Sequence, residues 1–185
     1  MRKLLAIILA VVVVVGVGGY FLVSESYAAT PADPLFKVQT VVDDIQRALT
    51  FDEVAKTELE QKILERRQEQ IERMLTRTDI TQEHLEEALQ LMNQQRTRVL
   101  ERLQIVEQEM IQKGNDQAVE SLQKVQEQYQ ENLDKQLESA TKAQEKFFGV
   151  GEDVRQNIEM EKNSLVNQGE ETQNQQQNKE VNKVQ

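Results

Sequence analysis

The sequence predicts an all-α protein: an N-terminal transmembrane or signal helix followed by an elongated antiparallel helical bundle or coiled coil. Three observations predict it. Leu4 to Val23 is an apolar run without a charged residue, preceded by Arg2-Lys3. Downstream, apolar residues recur at spacings of three and four among Glu, Gln, Lys and Arg, the pattern of amphipathic helices. Pro occurs only at positions 31 and 34, so nothing beyond them forbids helix. The chain divides into a signal-anchor or signal peptide (1–28), a linker (29–33), a helical bundle domain (34–167) and a disordered Gln/Asn/Glu-rich tail (168–185).

A helix over residues 4–23 would span roughly 30 Å, the thickness of a bilayer core. The positive-inside rule keeps Arg2 and Lys3 in the cytoplasm and sends the rest out. Two readings of the segment stand. Retained, it makes a single-pass cell-membrane protein with an extracytoplasmic C-terminal part and only Met1 to Lys3 inside, too few residues for a cytoplasmic signalling module. Cleaved after Ala28, where Ser26-Tyr27-Ala28 places small residues at the positions a signal peptidase reads, it makes a secreted or periplasmic protein. Both place residues 30–185 outside.

Asp33-Pro34 reads as a helix start, Asp at N-cap and Pro at N1. Leu35, Val38, Val41/Val42, Ile45 and Leu49 then form the apolar side of a short amphipathic helix over 34–49, a brace near the membrane. Thr50-Phe51-Asp52-Glu53 has the capping-box form, with Leu49 and Val54 spaced as a hydrophobic staple. The next helix accordingly starts at Phe51 and carries Ala55, Leu59, Ile63, Ile71 and Leu75 on one face, with Arg67 in the remaining slot. It ends near Arg77, and Thr81 caps its successor, Ile80 and Leu85 forming a second staple.

The helix over 82–113 carries the clearest pattern. Leu85, Leu89, Met92, Arg96, Val99, Leu103, Val106 and Met110 alternate spacings of four and three, a heptad seam. Arg96 is its one charged member and is expected to snorkel or to pair with a Glu. Gly114 closes this helix. A fourth helix over 116–148 shows Leu122, Val125, Tyr129, Leu133, Leu137, Ala140 and Phe147. Gly149-Val150-Gly151 interrupts it, and Val154, Ile158 and Leu165 follow on a shorter segment. Short connections force antiparallel neighbours, so the three long helices should form one slender bundle. Self-association through the heptad seam is open at this level.

Charge and composition exclude several functions. The net charge is −10, and two units more negative once Arg2 and Lys3 are set aside. Such a surface repels phosphate backbones and anionic headgroups, so nucleic acid is not an expected partner. Cys is absent, which removes disulfides, thiolate nucleophiles and the usual structural zinc sites. His84, the single His, sits among Glu83, Glu86 and Glu87 and reads as a solvated first turn favouring the helix dipole. The carboxylate pairs Asp43/Asp44 and Glu58/Glu60 read as solvated faces. Asn115-Asp116 lacks the ligand pattern of a calcium loop, and no phosphate-binding sequence follows Gly149-Val150-Gly151. The sequence therefore nominates no catalytic, cofactor-binding or metal-binding residue and no cofactor. It predicts a non-enzymatic scaffold or protein-interaction domain attached to the membrane through residues 4–23, its protein partner unspecified. The alternative is an envelope holdase chaperone, or a stress sensor acting through a separate membrane protein.

Ser26-Tyr27-Ala28-Ala29, Pro31-Ala32-Asp33-Pro34-Leu35-Phe36-Lys37, Ala48-Leu49-Thr50-Phe51-Asp52 and Glu65-Arg66-Arg67 together resemble an uncharacterised bacterial extracytoplasmic family of unknown function. That family joins an export segment to a Pro-Gly-Asp-Pro-Leu-Tyr-like motif, with Leu-Thr-x-Asp and an Arg-Arg pair in the helix that follows. Here Ala32 stands for the Gly and Phe36 for the Tyr. The resemblance covers roughly residues 28–75 and implies an extracytoplasmic helical domain without an assigned activity. Leu49-Thr50-Phe51-Asp52-Glu53 and Ile80-Thr81-Gln82-Glu83-His84 also look similar to the Leu-Thr-x-x-Gln repeats of small periplasmic chaperones of the Spy type.

Overall fold

The computed structural model describes residues 29–31, 33 and 36–165. The expected membrane or signal segment, Pro34 at the first helical position and the tail from 168 lie outside these. The described residues are helical, without strands, and among them no helix is long and apolar enough to cross a membrane. The elements are α1 (Phe36–Leu49), α2 (Glu53–Thr76), α3 (Gln82–Gln112), α4 (Asp116–Lys146) and a shorter α5 over residues 152–165.

The ends of the long helices follow from local chemistry. Thr81 caps α3 as expected, its hydroxyl accepting from the His84 N–H at 3.3 Å, and the staple partners Ile80 and Leu85 are both buried. The expected start of α2 is corrected. The cap is Asp52, whose carboxylate accepts from the Ala55 N–H at 2.8 Å. Thr50 instead donates its hydroxyl back to the Gln46 carbonyl of α1, and Leu49 and Phe51 stay exposed, so no staple forms there. A carboxylate beside orphan N–H groups has the helix dipole in its favour. At the end of α3, Gly114 adopts φ 64°. Its N–H bonds the Ile111 carbonyl and the Asn115 N–H bonds that of Met110, the two bonds of a Schellman closure. Asn115 then caps α4 through the Ala118 N–H.

α2, α3 and α4 pack as an up-down-up bundle. Glu53 pairs with Arg102 and Glu60 accepts from Gln95, so α2 and α3 run antiparallel. Asn132 reaches Glu65, Gln68 reaches Ser139 and Lys146 reaches the carbonyls ending α2, so α4 runs parallel to α2. All eight seam positions from Leu85 to Met110 are buried, as are Leu122, Val125, Tyr129, Leu133 and Ala140 of α4. The seam therefore closes within one chain.

α5 folds back on this bundle. Gly151 makes the return possible: it sits at φ 75°, and a Cβ there would lie 2.8 Å from Leu89 Cδ1, so a side chain would meet both backbone strain and a packed neighbour. Val150, Val154 and Ile158 are buried in the same apolar cluster as the bundle core.

Candidate functional site

α1 is amphipathic as expected, but its apolar side faces outward. Val38, Val41, Ile45 and Leu49 are exposed, Leu49 at 67%, and Phe51 just beyond the helix is 83% exposed. The face turned to the bundle carries Phe36, Gln39 and Asp43. The reason lies in α2, whose Glu60, Arg67 and Gln70 present a polar row to α1. Burial of unpaired polar groups is costly, so α1 meets that row with its own polar side.

The resulting seam is continuous. Asp43, fully buried, takes Arg67 at 2.9 Å and Arg66 at 3.0 Å on its two oxygens. Arg67 also donates to Gln70 Oε1 at 3.1 Å and lies 5.0 Å from the Phe36 ring centroid, in cation–π range. Gln70 donates onward to Gln39 Oε1 at 2.6 Å and to the Ala29 carbonyl at 2.7 Å. One helical turn further along α1, Arg47 pairs with Glu60 at 3.0 Å and donates to Gln95 Oε1 of α3 at 3.0 Å. Gln95 returns bonds of 2.7 Å to the Glu60 carboxylate and carbonyl. The order Gln39–Gln70, Asp43–Arg67, Arg47–Glu60 shows that α1 runs antiparallel to α2.

The segment before α1 is bound in at the same end. The Asp33 carboxylate accepts from the Thr30 N–H and hydroxyl at 2.8 and 2.7 Å, and from Arg77 at 3.1 Å. Burial pushes Asp33 up, but the Thr30 and Arg77 hydrogen bonds outweigh it and hold the carboxyl below its ordinary value. Arg77 also holds Asp79 at about 2. Within the seam the balance differs: burial pushes the Asp43 carboxyl up against the pull of Arg66 and Arg67, and burial lowers Arg67.

A second buried cluster secures α5. The Tyr129 hydroxyl donates to Glu161, and Arg96 lies 3.4 Å from the same carboxylate while donating to Asn93 at 2.7 Å. Arg96 thus pairs with a Glu, as expected, and does not snorkel: it is 4% exposed. Burial raises Glu161, against the Tyr129 bond and the Arg96 charge.

Two sequence expectations need correction here. Asp43 and Glu60, read as solvated, are buried and ion-paired; their neighbours Asp44 and Glu58 are exposed and half-buried. The usable signal was the antiparallel complement Asp43–Arg67 and Arg47–Glu60 at helical spacing. His84 is half-buried in the first turn of α3 with Glu83, Glu86 and Glu87 exposed. Among the described residues no group of His, Asp and Glu converges as a metal site.

The family profile of a domain of unknown function, DUF5667, matches residues 28–132. That is more than half of the chain. The protein belongs to this family. The match takes in the whole α1–α2 seam and runs beyond the resemblance over 28–75, through α3 and into α4. No curated protein and no solved structure matches the chain significantly.

Proposed function

We propose that the protein is an extracytoplasmic helical scaffold, tethered to the membrane by residues 4–23 and acting through binding rather than catalysis. One observation carries this reading: the titratable side chains that the fold buries are spent on one another. Asp43 is closed off by two guanidinium groups and Glu60 by Arg47 and Gln95, so neither is aimed into a cleft where a substrate could meet it. Catalytic carboxylates are found in concave sites with displaced proton affinities. In this fold, burial and ion pairing serve attachment of α1. Asp33 and the Arg66-Arg67 pair, shared with the resembling family, and Phe36, at the position of its Tyr, fall in that attachment.

The test is photo-crosslinking in intact cells from exposed positions on α3 and α4, followed by identification of what is captured. A recurrent envelope protein supports the scaffold. A phosphatase reporter joined after Gln185 should be active, and an inactive one would place the domain in the cytoplasm and end this reading.

The exposed apolar side of α1 favours a second reading, the holdase chaperone, which needs accessible apolar surface. The full chain in detergent micelles, added in equimolar amount to a denatured model protein, separates the two. The scaffold leaves aggregation unchanged. Suppression of acidic and basic clients alike would instead establish the chaperone, whereas salt-sensitive suppression of basic clients alone reflects charge attraction.

A further inference from the structure

We propose that α1 lays its outer face into the headgroup–acyl boundary of the bilayer, so that the bundle lies against a lipid surface; this rests on the tether reading of residues 4–23. The exposed face is a fixed property of the fold. Asp43 and Arg47 bind the opposite side of α1 to Arg66, Arg67 and Glu60, so the helix cannot roll to bury Val38, Val41, Ile45 and Leu49 without breaking those pairs.

Reach argues for lipid. Ala29 and Thr30 are buried, and the Ala29 carbonyl is held by Gln70, which also bonds Gln39 of α1. Only five residues, Ser24 to Ala28, separate Val23, the end of the apolar run, from Ala29. The six residue steps from Val23 to Ala29 extend at most about 20 Å, so α1 begins beside a point kept close to the membrane surface.

Charge agrees. The exposed positions of α1 carry one positive and one negative side chain, Lys37 and Asp44, on a protein whose net charge is −10. The face is a neutral apolar strip where the rest of the surface would be repelled by anionic lipid, and amphipathic helices of this kind lie in the interfacial plane. A second copy of the chain fits less well. At 1.5 Å per residue the strip is roughly 18 Å long and about 10 Å wide, which offers on the order of 200 Å² against the ~800 Å² per partner of a stable interface.

The absence of Cys makes the test direct. The full chain carrying Ile45→Cys or Val41→Cys is labelled with an environment-sensitive fluorophore and reconstituted in phosphatidylcholine vesicles, with and without nitroxide-labelled lipid. Glu131→Cys, on the exposed side of α4, serves as the reference. Seated as proposed, the α1 labels emit at shorter wavelength and lose at least half their intensity to the nitroxide lipid, while the Glu131 label does neither. An α1 label with aqueous emission overturns the proposal. So does a blue-shifted label that nitroxide lipid fails to quench, which would mean that protein covers the face. Extraction of the same vesicles with alkaline carbonate isolates the underlying reading: release of the chain sinks the tether and the docking together, and retention with aqueous emission sinks the docking alone.

Discussion

Two seams hold this protein together, and they are built from opposite materials. The seam among α2, α3 and α4 is apolar, from Leu85 to Met110 on one side and Leu122 to Ala140 on the other. The seam between α1 and α2 is polar, with Asp43, Gln39, Arg67 and Gln70 at its centre. Apolar burial supplies most of the driving force for folding and is tolerant of small shifts. Buried ion pairs return little net stability, because desolvation offsets the attraction, but they penalise any arrangement that separates them. The first seam makes the bundle stable. The second fixes where α1 sits and which way it faces, at the cost of leaving an apolar strip outside.

The largest effect should come from attacking the apolar seam. Leu103→Asp places an unpaired charge among Val99, Val106 and the facing helices, a change expected to cost more than about 4 kcal/mol. Cooperative thermal unfolding followed by circular dichroism should disappear. A melting temperature within a degree or two of the parent would show that the stripe does not carry the fold.

The polar seam should respond in a way that the apolar seam cannot. Asp43→Ala leaves Arg67 buried without its carboxylate and should cost about 3–5 kcal/mol, whereas replacing both partners, Asp43→Leu with Arg67→Met, should restore most of that loss. Denaturant midpoints of the single and double variants measure it. A double variant as unstable as the single one would mean that the pair contributes more than mutual neutralisation.

Gln136 sharpens the contrast from inside the apolar seam. Its side chain is fully buried between Leu133 and Ala140, and neither amide atom has a protein hydrogen-bond partner. Gln136→Leu removes that unmatched polarity and should be neutral or stabilise by up to about 2 kcal/mol. Destabilisation instead would show that the amide is satisfied in solution.

The two seams also differ in how far the sequence discloses them. The bundle was legible because Leu85 through Met110 repeat without a miss and every position but Arg96 has the same apolar reason to be inside. The Thr81 cap, Gly114 and the Arg96–Glu pairing were legible for similar local reasons. α1 was not, because periodicity marks two faces of a helix and says only that they differ. Which face turns inward depends on the surface it meets, and the polar row of Glu60, Arg67 and Gln70 on α2 reverses the usual choice. The cap at Asp52 was missed for a related reason: Thr50 had a competing acceptor in the last turn of α1, the Gln46 carbonyl.

The smallest expected effect tests whether charge buried in the apolar bundle behaves as it does in the α1 seam. Glu161 of α5 is half-buried against Tyr129 and Arg96, and the loss of solvent raises its proton affinity above the ordinary value of 4.5. The folded state therefore binds this proton more tightly than the unfolded state does. At neutral pH the charged carboxylate carries a penalty, and stability from this group rises as pH falls through the folded pKa, levelling off near 4.5. Asp33, Glu53 and Asp79, whose proton affinities are lowered, act in the opposite sense and further down the scale, Asp79 near 2. They are common to parent and variant, so a comparison with Glu161→Gln cancels them. The variant carries a neutral side chain at every pH and lacks this dependence, so the gap, parent minus variant, should widen in favour of the parent as pH falls from 7 to 4.5. Urea midpoints at half-unit pH intervals would record it. A gap that narrows over that range would mean that the pairing with Arg96 outweighs burial, and that α5 is held by the same kind of charged clasp as α1.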